Sequence, residues 1–196
     1  MPLGANKAAI MGTAGVSVAA DVVLLSSQTA SADATIDFES DIDSTYGEYI
    51  FGFYNMHPSA DGPYFGFQCN ASGQSGYNET ISSTFYSASN TESLSYGFSY
   101  GTSWDQAQGT ATQWIGNDTD NDADSSFAGI LHIFNPASTT YAKHFQARTT
   151  LVYNNVTCID AYTGGYINVT AAITNVQFKF GSGNIDSGII KMWGVK

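Results

Sequence analysis

Five consecutive residues, Gly97-Phe98-Ser99-Tyr100-Gly101, match the pattern G-x-S-x-G, which places a nucleophilic serine on a sharp turn in many hydrolases. His132 and His144 follow in the chain order that such a catalytic set needs. The pattern works because the turn joins a strand to a helix, and no helical periodicity follows Gly101. Ser99 also falls on the polar parity of an apparent strand. The sequence therefore predicts no catalytic serine here.

A second candidate is the acidic stretch 117–124, in which aspartates alternate with uncharged residues. Carboxylates gathered in one loop can supply several oxygen ligands to a calcium ion. The stretch departs from an EF-hand loop, because Ala123 replaces the required glycine and Gly129 stands where the bidentate glutamate belongs. A solvated acidic turn between two strands is the simpler interpretation, with calcium left open. No metal or cofactor is predicted.

Histidines and cysteines offer no metal centre of their own. His57, His132 and His144 lack the spacing of a metal site, and His132 lies in an otherwise apolar strand, where we expect a hydrogen-bonded core or interface residue. Cys69 and Cys158 are too few for a disulfide scaffold or a structural zinc site. Both are expected to be small core residues, and a bridge between them is the alternative.

A cluster of aromatic residues has the composition of a binding surface. Tyr96, Tyr100 and Trp104, with Trp114 nearby, could form a platform on which sugar rings stack, and Asp105 could supply hydrogen bonds. The same aromatic residues are also typical of a β-sandwich core or of a subunit contact. A carbohydrate site at these five residues is therefore one hypothesis among three.

The composition indicates which elements hold these residues. The chain has 196 residues, of which 43% are hydrophobic and 12% are charged, and this suits one domain with a single core. Six Lys and Arg against 17 Asp and Glu give a formal net charge of -11, which repels nucleic-acid phosphates and anionic lipid headgroups. No apolar run approaches the roughly 18 residues of a membrane-spanning helix. We therefore expect neither nucleic acid nor a membrane as a partner.

The residue pattern favours strands. Aromatic residues make up 14% of the chain, whereas helix-favouring Glu, Lys, Arg and Leu are scarce. Alternation with period 2 recurs between turn signals. The apparent strands cover 34–42, 48–55, 64–69, 81–86, 94–100, 126–134, 143–153, 165–169, 173–180 and 187–195. We predict an all-β fold of roughly eight to eleven strands, an antiparallel β-sandwich of the jelly-roll type, in which 64–69 is central and 126–134 is covered on both faces.

The first residues differ from the rest of the chain. Residues 1–20 are small, rich in glycine and nearly uncharged, with no amphipathic period. Such a segment buries too little apolar surface to offset its ordering entropy, so we expect a neighbouring subunit or a larger assembly to hold it; the alternative is that it lies over its own domain. The expected division is an extended arm and lead-in strand over 1–33 and a jelly-roll domain over 34–196. The arm contacts are assigned to Met1, Pro2, Leu3, Ala5, Lys7, Ile10 and Met11.

Five stretches carry a resemblance that covers nearly the whole chain: MPLGANKAAIMG, LLSSQTASADATIDFESDIDSTYGEYIF, NASGQSGYNETISSTFY, AGILHIFNPASTTYAKHF and GYINVTAAITNVQFKFGSGNIDSGIIKMWGV. With them the sequence resembles a group of small virion proteins of tailed phages that infect marine bacteria, including cyanophages. The resemblance implies a jelly-roll protein displayed on the particle, in a tail fibre or as a head decoration, and commonly a trimer. It brings no catalytic motif.

We therefore expect a non-enzymatic structural component of a virion, made in the host cytoplasm. It would assemble through its N-terminal arm as a homo-oligomer, a trimer, together with other virion proteins, and so cover apolar strand faces that a monomer exposes. The alternative is a carbohydrate-binding module or host-receptor adhesin that binds a host-surface glycan through the aromatic cluster. A hydrolase ranks third, because any two of the 17 acidic residues can meet in space, but no pair stands out.

Overall fold

The computed structural model describes residues 21–153 and 156–196, and within these ranges the chain forms strands and turns with no helix. The strands in chain order are β1 (Val22–Asp33), β2 (Ile36–Phe38), β3 (Glu48–Pro58), β4 (Phe65–Ala71), β5 (Ile81–Thr91), β6 (Tyr96–Tyr100), β7 (Ala107–Gly109), β8 (Gln113–Gly116), β9 (Phe127–Phe134), β10 (Lys143–Tyr153), β11 (Thr157–Ile167), β12 (Ile173–Phe180) and β13 (Ile185–Val195). The predicted all-β class is confirmed.

The strands form two antiparallel sheets whose inner faces share one core. The larger sheet has nine strands, in the order β1-β13-β3-β9-β10-β11-β5-β6, and the short β7 pairs with the first residues of β5. The smaller sheet has four strands, in the order β2-β12-β4-β8. This arrangement confirms the antiparallel β-sandwich. The jelly-roll type remains a prediction.

Phenylalanine rings fill the space between the two sheets. Phe53 of β3 packs against Phe65, Phe127 and Phe178, with ring centroids 5.2 to 5.8 Å apart. All four side chains are buried. At about 25 cal/mol per Å², burying such a ring contributes at most roughly 4–6 kcal/mol before conformational entropy is subtracted. The core therefore depends on contacts between the sheets and not on any single strand pair.

Alternation predicted several strands correctly. β10 and β12 have the predicted bounds. In β12, Val176, Phe178 and Phe180 are buried and the residues between them are half-buried, as expected for one inward face. β4 is buried along nearly its whole length and lies between β12 and β8, which confirms that it is central.

Several strands differ in length from their predicted ranges, β2, β5 and β11 the most. β2 spans only three residues. It ends because Asp41 has a φ of 64° and the Asp43 carboxylate accepts a hydrogen bond from the Thr45 backbone N–H at 2.7 Å, which starts a turn. β11 is longer than predicted, because it pairs with β5 along its whole length. The described strands number thirteen rather than eight to eleven, and β7 and β8, with three and four residues, lie where no strand was predicted.

β3 continues past Asn55, where its sequence pattern ends. Asn55 has a φ of 50°, and the register of β3 with both neighbouring strands shifts at this point. Opposite it, Gly188 has a φ of 126°, and a Cβ there would lie 2.8 Å from the Asn55 carbonyl oxygen. The two residues form a bulge, so the strand bends and reaches Pro58 instead of turning back.

Two strands, β9 and β6, show that no described residue covers the outer face of the larger sheet. Apolar residues at both parities predicted that β9 is covered on both faces, but Ile130 on its outer side is 42% exposed. That prediction is wrong, because the smaller sheet covers only the inner face. β6 alternates as expected, yet all five of its residues are exposed, because it is the last strand of the sheet.

One charged side chain is buried under the connection between β11 and β12. Lys143 is fully buried, and its ammonium donates hydrogen bonds of 2.7 to 2.9 Å to the backbone carbonyls of Val169, Thr170 and Ala171. Burial lowers the pKa of Lys143, and the nearby charge of Glu79 opposes that shift. The ammonium satisfies three carbonyls that would otherwise need water, and it fixes this connection.

The two cysteines are free and lie in different surroundings. Cys69 is buried in β4, and burial raises the pKa of its thiol. Cys158 is exposed on the outer side of β11. The prediction of a core residue is right for Cys69 and wrong for Cys158, since the parity of Cys158 turns it outward. No bridge joins them.

The expected lead-in strand belongs to the larger sheet. β1 pairs with β13 from Val22 opposite Val195 to Asp33 opposite Ile185. The remainder of the predicted arm, residues 1–20 with all of its assigned contact residues, lies outside the described residues.

Candidate functional site

One row of side chains crosses the outer face of the larger sheet. The strand registers place Tyr86 of β5 beside Tyr100 of β6 on one side and beside Tyr162 of β11 on the other. Arg148 of β10 lies next to Tyr162, and Ile130 of β9 follows next to Arg148. Side chains directly opposite each other on one face of a sheet lie about 5 Å apart, so these residues form a continuous line.

Four of the residues on this face, Phe98, Tyr86, Tyr162 and Arg148, stack in sequence and are called the aromatic ladder below. The rings of Tyr86 and Tyr162 are 5.1 Å apart and nearly parallel, at 7°. Phe98 packs on the other side of Tyr86 at 5.5 Å, and the Arg148 guanidinium lies 5.0 Å from the centre of the Tyr162 ring. Tyr162 covers one face of the Tyr86 ring, and Phe98, tilted by 43°, covers part of the other; Tyr86 and Arg148 lie against the Tyr162 ring.

The positive charge of the aromatic ladder is balanced within the sheet. Arg148 donates two hydrogen bonds, of 3.2 and 2.9 Å, to the Asp160 carboxylate. These bonds raise the pKa of Arg148. The Arg148 side chain is 60% exposed, so solvent screens the pair and its main effect is to hold the guanidinium over Tyr162. The ladder is therefore close to neutral in a strongly acidic chain.

A shallow groove of about 450 Å³ runs beside the ladder. Thr84, Gln146 and His132 supply polar groups to it, and Ile130 supplies apolar surface. The His132 Nδ1 atom lies 2.5 Å from the Glu48 carboxylate, so the predicted hydrogen bond is present, but His132 lies beside Ile130 on the outer face and not in the core. Hydroxyl, amide and imidazole groups in one groove suit hydrogen bonding to a neutral polar ligand.

Three of the five residues predicted as a carbohydrate platform lie at the β6 edge. Tyr96 and Tyr100 of β6 are 86% and 52% exposed. The Tyr100 hydroxyl donates a hydrogen bond of 2.6 Å to the Asp105 carboxylate, and this bond raises the pKa of Tyr100. The predicted combination of an exposed ring and a carboxylate is present at this edge.

The two tryptophans of the predicted platform pack elsewhere. The rings of Trp104 and Trp114 each lie 5.8 Å from the ring of Tyr64. Trp104 also packs against buried Phe85 at 5.2 Å, and Trp114 belongs to β8 of the smaller sheet. Both indoles are half-buried. The five predicted residues therefore lie in two groups, and only the β6 group faces solvent with open rings.

The G-x-S-x-G pattern lies in strand β6 and its following turn. Ser99 pairs with Ser87, whose side chain points to the inner side of the sheet. His132 and His144 lie on the outer side, where His144 packs near Tyr166 at 6.3 Å. The serine and the two histidines therefore occupy opposite faces of one sheet and cannot exchange a proton directly.

The acidic stretch does not gather its carboxylates at one point. Asp120 is buried, and its carboxylate accepts a hydrogen bond from the Asp122 backbone N–H at 3.1 Å. Burial raises the pKa of Asp118. In the ranges 21–153 and 156–196, no group of three or more His, Cys, Asp or Glu side chains is arranged to hold a metal ion.

Sequence reasoning assigned a site role to none of the four members of the aromatic ladder, Phe98, Tyr86, Tyr162 and Arg148. Tyr86, Tyr162 and Arg148 each lie on the outward parity of their strand, among Ser, Thr, Gly and Asp residues. The one local sign of such an exposed ring is a tyrosine at an outward-facing strand position whose neighbours on that face are polar. The residues meet only through the registers of β5, β11 and β10, which alternation along a single strand does not specify.

No protein-family model, curated protein or solved structure matches this chain. The part of the chain that the structure describes contains no helix with the length and apolar character needed to cross a bilayer. Fold and site together define an antiparallel β-sandwich with an uncovered aromatic face on its larger sheet.

Proposed function

We propose that the protein is a non-enzymatic structural component of a tailed-phage virion, in a tail fibre or on the capsid surface. It docks onto neighbouring chains through the outer face of its nine-stranded sheet. The observation that carries the docking role is the aromatic ladder, a stack of side chains that no described residue covers. The virion assignment rests on the resemblance of the sequence.

The amount of exposed apolar surface supports docking. Eight large hydrophobic side chains on this outer face are at least 37% exposed: Val22, Leu24, Tyr54, Tyr86, Tyr96, Phe98, Tyr100 and Ile130. Four of them, Tyr86, Tyr96, Phe98 and Tyr100, lie together on β5 and β6 and expose on the order of 500 Å². The largest apolar patch of a typical monomer covers roughly 300–600 Å². A patch at the upper end of this range favours a surface that another molecule covers in the assembled state.

The geometry of the ladder favours a protein partner over a stacked sugar. A sugar ring stacks on an open aromatic face, and the Tyr86 and Tyr162 rings stack on each other while Phe98 and Arg148 occupy part of the remaining space beside them. A stack of this kind is instead suited to packing against side chains of another protein.

The test is the location of the chain in purified particles of the phage that encodes it. We expect immunogold labelling with an antibody against the sandwich to decorate the tail or head, and mass spectrometry to detect the chain in gradient-purified virions. Label confined to the soluble lysate would contradict the virion role.

Matched variants test the docking face. Tyr162→Lys breaks the aromatic ladder on an outer surface, so the protein should fold but fail to enter particles. Tyr141→Lys alters a tyrosine that is 70% exposed between β9 and β10, and it should enter particles normally. Equal incorporation of both variants would contradict docking through this face.

A second candidate function is binding of a neutral host-surface glycan. It is favoured by the open ring of Tyr96, by the Tyr100–Asp105 pair and by the polar groove beside the ladder. A glycan array should then show binding that Tyr96→Ala abolishes and Tyr141→Ala retains. Trp104→Ala is a poor probe, because Trp104 packs against buried Phe85. Absence of signal with folded wild-type protein removes this candidate.

A further inference from the structure

Strand β6 leaves one edge of the larger sheet open. The Gly101 backbone N–H donates to the Phe85 carbonyl at 2.9 Å, so the odd-numbered residues of β6 direct their backbone groups toward β5. The N–H and C=O groups of Tyr96, Phe98 and Tyr100 consequently point the other way. Among the described strands, none pairs with that side of β6.

This open edge lacks the usual protection against pairing. Natural sheets protect their edges with charged residues, prolines or bulges. The chain has no charged residue and no proline between Glu92 and Asp105, and β6 pairs with β5 without a bulge. The chain as a whole carries a net charge of -11, so two copies repel each other over most of their surfaces. Contact along this uncharged segment adds no direct charge–charge repulsion.

The sequence of β6 is complementary to itself. Residues 96–100 read Tyr-Gly-Phe-Ser-Tyr, and in reverse they read Tyr-Ser-Phe-Gly-Tyr. In an antiparallel pair centred on Phe98, Phe98 faces its own copy and Tyr96 faces Tyr100, while Gly97 faces Ser99 on the other side. The three aromatic positions are also the positions whose backbone groups point outward, so this register forms about six backbone hydrogen bonds.

We propose that β6 pairs with β6 of a second copy of this chain about a twofold axis at Phe98. The two nine-stranded sheets then join into one continuous sheet, and the aromatic ladders of both copies meet at the join. The interface is isologous, with the same residues on both sides. The pairing does not depend on the proposed virion function.

The rings of β6 add side-chain contact to the backbone pairing. The side chains of Tyr96, Phe98 and Tyr100 are 86%, 72% and 52% exposed. A second strand beside β6 covers the sides of these rings that face it and leaves their outer surface open, so the strand pair alone buries less than the roughly 800 Å² that each partner contributes to a standard interface, and the backbone hydrogen bonds specify the register. Leu94, which is 78% exposed beside β6, adds to this area.

The first test is the solution mass of the full chain by sedimentation velocity. Wild type should reach twice the 20.8 kDa mass of the chain as its concentration rises. Phe98→Lys places two like charges opposite each other at the axis and should weaken the dimer roughly 30-fold or more. Tyr141→Lys adds the same charge at another exposed ring and should dimerise like wild type. A monomeric wild type would overturn the proposal, as would any oligomer that Phe98→Lys leaves intact, a trimer included.

The second test checks the register. Phe98→Glu alone should be monomeric for the same reason as Phe98→Lys. An equimolar mixture of Phe98→Lys and Phe98→Glu should form a heterodimer, because residue 98 of each copy faces residue 98 of the other. A mixture that stays monomeric would overturn the twofold pairing.

The third test identifies what covers the edge. In the wild-type dimer the amide hydrogens of Tyr96 and Tyr100 should exchange roughly tenfold or more slowly than in Phe98→Lys. Slow exchange in a protein that sediments as a monomer would show that a segment of the same chain occupies the edge, and this result would also overturn the proposal.

Discussion

The core between the two sheets holds mostly phenylalanine, whereas the surface of the sandwich holds mostly tyrosine. Of the twelve phenylalanines, all but Phe98 and Phe134 are buried, whereas of the twelve tyrosines only Tyr49 is buried. A buried phenol needs a hydrogen-bond partner, and the Tyr49 hydroxyl has one in the Asp43 carbonyl at 3.0 Å. Rings between the sheets therefore stabilise the sandwich, while exposed rings on the outer face remain available to a partner.

Phe98 is the exception that sharpens this comparison. It has no hydroxyl to solvate, yet it is 72% exposed at the edge of the sheet. A phenylalanine in this position gains from being covered, which is why the proposed pairing is centred on it.

The largest expected difference between the faces is in stability. Phe53→Ala removes a ring that contacts three others in the core and should lower the free energy of unfolding by about 3–5 kcal/mol. Tyr162→Ala removes a ring of the aromatic ladder and should cost about 1 kcal/mol. Urea unfolding of both variants measures this. Equal costs would show that the outer face stabilises the fold as strongly as the core does.

Two lysines give the next contrast. Lys143→Met leaves three backbone carbonyls without their buried donor and should cost about 3 kcal/mol. Lys191→Met removes an ammonium that lies 5.3 Å from the centre of the outer-face Tyr54 ring and should cost at most about 1 kcal/mol. Thermal and urea unfolding should rank the two variants in this order, and the reverse order would contradict the role assigned to Lys143.

The features that the sequence predicted are those that depend on one strand at a time. The bounds of β10 and β12 and the buried residues of β12 follow from alternation, and the central position of β4 follows from its continuous apolar run. Each of these patterns is contained in fewer than about a dozen residues.

Strand order and register are not local, and they escaped prediction. β1 pairs with β13 from the other end of the chain, and β11 pairs with β5, so no short pattern reveals either partner. The aromatic ladder exists only because three registers agree. For β9, apolar residues at both parities predicted a second covering layer, but the exposed Ile130 lies on the outer face. The alternation of apolar residues along a strand does not distinguish a residue that is buried in the core from one that is exposed on the outer face.

The cysteines report on the two environments through their reactivity. Exposed Cys158 should react with a thiol reagent at an ordinary rate in the native protein. Cys69 should react at least about 100-fold more slowly, because burial raises the pKa of its thiol and attack requires opening of the core. Ellman's reagent should therefore count one thiol in the native state and two in urea. Two reactive thiols in the native state would contradict the packing of β4.

The smallest expected effect concerns a single outer-face tyrosine. The hydrogen bond to Asp105 raises the pKa of Tyr100, so Asp105→Ala should return it toward the ordinary value of 10.0. The ring signals of Tyr100 in an NMR pH titration measure the shift. The stability of the protein should not change measurably, because both groups are at the surface. An unchanged Tyr100 titration would show that the pair is not formed in solution.

The central claim is that the outer face of the larger sheet is a docking surface in an assembled virion. A cryo-electron microscopy map of the particle whose genome encodes this chain tests it most directly. We expect the sandwich in the map, with Phe98, Tyr86, Tyr162 and Arg148 covered by a neighbouring chain. A map in which this chain is absent, or in which the aromatic ladder faces open solvent in every copy, would contradict the claim.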